Sequence, residues 1–274
     1  MEDLQAFARL LSALRPWLGQ FVVVGGWAHR LHRLHRLAKS PNHLPLHTRD
    51  ADLAFSPDEA LAGDVRKALT EAGFTEEFLG EDSPPATHYR LADENAGFSA
   101  EFLTPLVGSE MKRGKRDATM SKAGITAQKL RYLDILLIKP SSVRVGPERQ
   151  VPIEADVDLF VPNPTSFIVQ KLLIHSDRPP AKKAQDVLYI HDTLELFGGS
   201  LVELRRLWVE EVRPSIAKPW AKKAEANARE LFAEVTDTIR DAARIPQDRR
   251  LAPEDVQRAC AHGFNMILGR APTS

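Results

Sequence analysis

The order of hydrophobic and polar positions divides the chain into a mixed first part and a helical second part. Leucine and phenylalanine recur at helical spacing over residues 3–18, and the apolar run 21–24 that follows predicts a short buried strand. From residue 164 onward the pattern is helical, and it predicts helices over 164–176, 182–196, 200–212, 218–243 and 253–266. We therefore expect an α/β (α+β) fold, in which a mixed β-sheet flanked by helices over residues 1–162 precedes a helical bundle over 163–274.

Several shorter elements are predicted inside the first part. Two helical patterns cover residues 27–38 and 58–72, the second with Ser56 or Asp58 near its cap. The segment 107–128 has a basic excess and little apolar periodicity, so it is predicted to be a surface loop. Strand patterns cover 50–55, the segments THYRLAD and FSAEFLTPL, 133–138, 143–145 and 153–161.

Composition narrows the class of protein. The 274 residues carry 37 basic and 37 acidic side chains, and this balance argues against a protein coated with positive charge for bulk nucleic-acid binding. The single cysteine, Cys260, excludes an internal disulfide and a cysteine metal cluster, and it suits a reducing cytoplasm. No apolar run approaches the roughly 20 residues of a membrane-spanning helix.

Two aspartates interrupt the apolar strand over residues 50–55. Asp50 and Asp52 are two residues apart, so both side chains project from one face of the strand. Carboxylates in a strand need compensation, which a divalent cation such as Mg²⁺ or Mn²⁺ supplies through its preference for oxygen ligands. Glu101 also interrupts an apolar strand and is the first candidate for a third metal ligand, with Asp156 or Asp158 as the alternatives.

The strand over residues 21–24 ends in Gly25-Gly26, directly before a predicted helix. Two glycines at such a junction allow a phosphate to approach the backbone closely and to bind its N–H groups. A tight turn would need the same residues, but the nearby Asp-x-Asp strand favours a binding site for a nucleoside triphosphate. His29, His32 and His35 are spread around the helix that follows, and we expect a solvated or phosphate-facing basic surface there rather than a zinc site.

The segments VVVGGWA, TRDADLAF and AEFLTPL together resemble the nucleotidyltransferase superfamily of the DNA polymerase β type. The long interval from Gly26 to Asp50 is similar to the abortive-infection toxin branch and its uncharacterised relatives, where Arg and Thr precede the acids. A later helix of that branch carries spaced cations and an Asp. The corresponding residues here are Lys171, Arg178, Lys182 or Lys183, and Asp186.

This resemblance implies a metal-dependent enzyme that moves a nucleoside monophosphate from an NTP to an acceptor. It implies that Asp50, Asp52 and Glu101 are catalytic and bind the metal, and that the nucleotide is held by Gly25, Gly26, Arg49, Lys171, Arg178 and Lys183. The resemblance further implies that the acceptor would be RNA or tRNA, or a protein partner, in a toxin-like role. RNA would contact the basic segment through Lys112, Arg113, Lys115, Arg116 and Lys122. The alternatives are an inactive nucleotide sensor or partner-binding module, and an antibiotic-modifying enzyme.

Overall fold

The chain folds into two compact units. In the computed structural model, the described residues are 2–78, 87–91, 97–108, 111–112, 115–116, 118–149 and 151–269. The first unit comprises residues 1–34 with 47–162, and the second comprises residues 35–46 with 163–274.

A mixed β-sheet forms the centre of the first unit. Its strands are β1 (Val22–Val24), β2 (Asp50–Ala54), β3 (Phe74–Phe78), β4 (Thr87–Leu91), β5 (Ser99–Pro105), β8 (Thr119–Lys122), β9 (Ile125–Leu130), β10 (Ser141–Val145) and β11 (Val157–Val161). The strand order is β10-β11-β1-β2-β5-β4-β3, and β9 pairs with β5 and β8 beside this path. The pairs β1–β11, β2–β5 and β5–β9 are parallel, and the other neighbouring pairs are antiparallel. A separate hairpin pairs β6 (Met111–Lys112) with β7 (Lys115–Arg116).

One face of the sheet is covered by an aromatic core. Phe21 precedes β1 and lies 5.4 Å from Phe102 of β5 between ring centroids. Phe7 of α1 (Glu2–Ala13) stacks at 3.8 Å on Trp27 of α2 (Gly25–Leu31), and Trp27 contacts Phe98 edge to face. The third helix of this unit is α3 (Val65–Glu71). Stacked and edge-to-face aromatic pairs of this kind stabilise a core beyond their buried area.

The opposite face of the sheet is apolar over only part of its area. Val22, Ala54 and Leu103 project there and pack against Leu133 and Leu136. Leu136 belongs to a 3-10 turn, Asp134–Leu137, and Leu133 immediately precedes it. This cover lies at the carboxyl ends of β2 and β5, because Ala54 and Leu103 are register partners there. The amino ends of the same two strands carry polar side chains.

Three predictions for the first unit are wrong. The strand predicted over 133–138 is absent, and residues 134–137 form a 3-10 turn instead. Helix α3 begins at Val65 and not near residue 58, since Asp64 caps it by accepting a hydrogen bond from the Lys67 amide at 2.9 Å. The segment 107–128 contains strands, and its β8–β9 hairpin turns through Ala123 and Gly124, both at positive φ.

The second unit is helical. Asn163 caps α4 by accepting a hydrogen bond from the Ser166 amide, and Pro164 occupies the first turn, where no amide donor is required. The segment 35–46 belongs to this unit, and the Lys39 amide donates to the Leu196 carbonyl. The helices are α4 (Pro164–Ile174), α5 (Pro180–Leu196), α6 (Leu201–Arg206), α7 (Arg213–Ser215), α8 (Lys218–Leu231), α9 (Asp237–Arg244) and α10 (Pro253–Leu268), with a π-helical stretch over Leu207–Val212.

The predicted single helix over 218–243 is two helices, because Thr236 caps α9 by accepting from the Ile239 amide. Within the described part of the chain, no helix combines the length and the apolar character that crossing a membrane requires.

Candidate functional site

The amino ends of β2 and β5 bring four polar side chains to one face of the sheet. Asp50 pairs in register with Ser99, and Asp52 pairs with Glu101. Register partners on neighbouring strands share a face, as do residues two apart on one strand, so all four side chains project together. We call these four residues the acidic patch. Asp50 is exposed, while Asp52 and Glu101 are half-buried.

Gly25 lies directly against the acidic patch. Val24 of β1 is the antiparallel partner of Asp52, so the chain leaves β1 beside that carboxylate. Gly25 has a φ of +63°, and a Cβ placed on it would lie 2.0 Å from Asp52 Oδ2. Both the backbone conformation and the space therefore require glycine at this position. Gly26, the next residue of α2, is half-buried.

Each carboxylate of the acidic patch faces a different neighbour. Ser99 Oγ donates a 2.8 Å hydrogen bond to Asp50 Oδ1, and Asp52 Oδ2 occupies the space above Gly25. Glu101 Oε1 lies 3.5 Å from His88 Nε2 of β4. Neither Ser99 nor His88 was predicted from the sequence, because a single Ser or His in a strand has no distinguishing spacing.

The donor set of the acidic patch suits a hard divalent cation, although the three carboxylates do not converge on one point. The parallel register sets Asp52 beside Glu101 on strands that are about 4.8 Å apart, a separation that rotation of two carboxylates can bridge. Oxygen ligands of this kind are those that Mg²⁺ and Mn²⁺ prefer. The residues therefore fit a divalent metal in their chemistry and backbone positions.

A second potential metal-binding group lies in the helical unit. Among the described residues it is the one set of three ligand atoms that lie within 4.8 Å of one another, and it consists of His43, Asp192 and Glu195. Asp192 also accepts from Arg249 Nη2 at 2.5 Å and lies 3.0 Å from His191 Nδ1. The guanidinium already supplies positive charge to this carboxylate. The sequence offered no signal for the group, because His43 is far from the two acids along the chain.

The two alternative third carboxylates lie elsewhere in the first unit. Asp158 is on β11, so strand β1 separates it from β2. Its carboxylate forms a two-point ion pair with Arg144 at 2.8 and 2.9 Å, and the hydrogen bond from Arg144 lowers the Asp158 pKa. Asp156 packs against Gly146 in the neighbouring turn. This arrangement favours Glu101 as the third acid of the patch.

Among the predicted phosphate-binding cations, Arg49 is exposed and immediately precedes β2. Its carbonyl accepts from the Ser99 amide at 3.1 Å, and its guanidinium lies beside Gly97. Arg49 is therefore anchored next to the acidic patch through its backbone, with its side chain at the surface.

The predicted cations of the helical unit have different environments. Lys171 is buried, and its amine lies 2.6 Å from Asp186 Oδ1 and 5.0 Å from the Tyr189 ring centroid. Arg178 Nε is 3.3 Å from Asp186 Oδ2. The spacing of the later motif thus brings Lys171, Arg178 and Asp186 together as an ion-pair network. Lys183 is half-buried on α5. Their roles in nucleotide binding stay predictions.

The histidine-rich helix differs from its prediction. His29 and His32 are buried rather than solvated, and His32 Nε2 lies 2.8 Å from the Pro162 carbonyl oxygen. His35 packs edge to face on Phe197. His29 and His32 therefore lie in the core, and His35 is half-buried against an aromatic ring. The three histidines contribute to packing and do not form a basic surface.

The basic segment is described only in part. Lys112, Lys115 and Arg116 belong to the β6–β7 hairpin, and Arg113 lies outside the described residues. Lys122 Nζ donates to the Pro57 carbonyl at 2.6 Å, which anchors the β8–β9 hairpin. An RNA-binding role for the segment stays a prediction.

Comparison with known proteins matches residues 2–213 to a family described as nucleotidyltransferase. No curated protein and no solved structure matches the chain. The match covers the first unit from residue 2 onward, including the acidic patch and Gly25-Gly26. Nucleotidyltransferases generally use an NTP and a divalent metal, and they are transferases of phosphorus-containing groups. The match does not distinguish the abortive-infection toxin branch from other nucleotidyltransferases, so membership of that branch stays a prediction. By its sequence over these residues, the chain belongs to a nucleotidyltransferase family.

Proposed function

We propose that the acidic patch is the catalytic centre of a Mg²⁺-dependent nucleotidyltransferase that transfers a nucleoside monophosphate from an NTP to RNA, tRNA or a protein. The observation that carries this proposal is the register of three strands. It sets Asp52 between Gly25, the first residue after β1, and Glu101 on β5, with Asp50 on the same face. A triphosphate needs both features, since its oxygens require close backbone approach and its charge requires a counter-ion.

Asp50, Asp52 and Glu101 would hold the metal, while the backbone of Gly25 and Gly26 and the side chain of Arg49 would bind the phosphates. When bound, Mg²⁺ neutralises phosphate charge and favours deprotonation of the acceptor. The acceptor oxygen attacks the α-phosphorus, a new P–O bond forms, and the bond to the bridging oxygen breaks. Pyrophosphate leaves in line with the attack, and Glu101 assists removal of the acceptor proton.

The acidic patch lies on a partly covered sheet face, which supports this assignment. Leu133 and Leu136 cover the face near the carboxyl ends of β2 and β5, whereas the acids lie toward the amino ends of these strands. The hydrogen bond from Ser99 restricts rotation of the Asp50 carboxylate, and a restricted ligand loses less entropy when a metal binds.

The test is label transfer from each α-³²P-labelled NTP with Mg²⁺ to total RNA or to the proteins of a lysate. We expect one acceptor fraction to gain label with the wild type. Asp50→Asn and Asp52→Asn should reduce transfer at least about 100-fold, as loss of a metal ligand does. Asp158→Asn is the matched control, because it removes an exposed carboxylate from the same sheet.

Transfer within a few fold of wild type in both Asp50→Asn and Asp52→Asn would refute the assignment of the acidic patch. If the wild type binds NTP with Mg²⁺ yet labels neither fraction, the chain is a nucleotide sensor or acts on a small molecule such as an antibiotic. If RNA gains label, RNA is the acceptor. If that label is lost when the lysines and arginines of segment 112–122 are replaced by serine, this segment contacts the RNA.

A further inference from the structure

We infer that His88 is a positioning residue that fixes the Glu101 carboxylate in its metal-binding orientation. This inference rests on the proposed function, because it assigns a role toward the same metal. His88 lies on β4, a strand that carries none of the predicted catalytic groups.

The sheet register brings His88 to the acidic patch. Strand β4 is antiparallel to β5, with Tyr89 paired to Ala100 and Arg90 to Ser99. The next step of this register sets His88 opposite Glu101 on the same face. The observed separation of 3.5 Å between His88 Nε2 and Glu101 Oε1 agrees with that geometry.

The surroundings of the pair restrict where each side chain can point. The exposed fractions of the His88 and Glu101 side chains are 16% and 15%, so both are largely removed from water. Register partners on one face have Cβ atoms about 5 Å apart, which leaves the imidazole ring next to the carboxylate. On its other side His88 has Glu77 as its register partner, but the Glu77 carboxylate is 3.6 Å from Arg90 Nη2.

An imidazole with its proton on Nε2 can donate to Glu101 Oε1 and so restrict rotation of the carboxylate. The 3.5 Å contact is slightly longer than a hydrogen bond, and catalytic hydrogen bonds commonly shorten when substrate binds. Outer residues that orient a ligating carboxylate in this way typically contribute about 10–100-fold in metal affinity or activity. The role needs only the donor at Nε2 and no change of charge on the ring.

The experiment measures Mn²⁺ affinity by EPR, with a non-hydrolysable NTP analogue bound, for four variants. His88→Leu removes the donor, His88→Gln keeps an N–H group at the distance of Nε2, and His88→Asn keeps one only at the distance of Nδ1. Arg144→Gln is the control, because it removes an exposed charge from β10 of the same sheet, far from β4 in the strand order.

We expect about 10–100-fold weaker Mn²⁺ binding in His88→Leu and His88→Asn, and affinity within about threefold of wild type in His88→Gln and Arg144→Gln. In a Glu101→Ala background, His88→Leu should cause no further loss, since the residue acts through Glu101. If His88→Leu does not fold, the Mn²⁺ affinities of His88→Gln and His88→Asn alone test whether a donor at the Nε2 position is needed.

Equal Mn²⁺ affinity of the Gln and Asn variants, or a full additional loss in the Glu101→Ala background, would overturn the inference. A wild type that binds no Mn²⁺ with the analogue would instead refute the proposed function on which the inference rests.

Discussion

Replacing Gly25 by alanine tests whether the turn after β1 keeps the Asp52 carboxylate in place. The new Cβ would lie 2.0 Å from Asp52 Oδ2, where ordinary van der Waals contact begins at 3.4 Å. The carboxylate must therefore retreat by more than an ångström. Displacements of that size in a catalytic group commonly reduce the rate about 100-fold, and we expect this loss of nucleotidyl transfer in Gly25→Ala.

The substitution also has a conformational effect that must be separated from the displacement. An alanine at φ +63° loses about 1–2 kcal/mol relative to an ordinary backbone conformation. In a domain of this size, each kcal/mol of lost stability lowers Tm by about 2–4 °C. Gly108→Ala provides the matched control, because Gly108 has a φ of +85° and no described atom lies within 4 Å of its added Cβ.

The assay compares transfer rate and Tm for the two variants with wild type. Both variants should show a similar decrease in Tm, while only Gly25→Ala should lose transfer. If both retain the wild-type rate, Asp52 is not a metal ligand in the position described. If both lose the rate equally, the loss comes from backbone strain rather than from Asp52.

Two further predictions concern buried groups of the helical unit. Lys171→Met should destabilise the protein by about 3–5 kcal/mol, because it removes one partner of a buried ion pair. The control Lys182→Met changes an exposed lysine and should leave the stability unchanged. Thermal unfolding measures the stability of both variants. A Lys171→Met protein with wild-type stability but a raised KM for NTP would instead support the nucleotide-binding prediction. Burial raises the pKa of the Cys260 thiol, so a thiol reagent at pH 8 should modify it only as fast as the protein unfolds, and should react at once in denaturant. Rapid modification of the native protein would contradict the buried position.

The fold class and the sheet positions of the acids could be predicted because they depend on local pattern. Alternation around Asp50 and Asp52 identifies the strand and its polar face without knowledge of any partner strand. The two glycines identify the junction with α2 for the same reason. The confirmed part of the prediction is the α/β fold with C-terminal helices and membership of a nucleotidyltransferase family.

What the sequence could not predict depends on contacts between distant residues. The positions of His88 and Ser99 beside the acids follow only from the β4–β5 and β2–β5 registers. The burial of His29 and His32 was missed because helical spacing of a polar residue does not show which side packs against the sheet. The β8–β9 hairpin was missed because its turn places alanine at a positive φ, where Asn, Asp or Gly is usual.

The assignment of residues 35–46 to the helical unit makes that unit discontinuous along the chain. The Lys39 amide donates to the Leu196 carbonyl at the end of α5, and the Leu44 amide donates to Asp248 Oδ2 between α9 and α10. This early segment therefore supplies backbone donors to parts of the unit encoded far downstream. A fragment starting at residue 163 would lack those donors, and a fragment ending at 162 would carry an unpartnered insertion. A single cut in the gene therefore cannot separate the two units, and an insertion or deletion between Leu34 and His47 alters a segment of the second unit that is encoded inside the first.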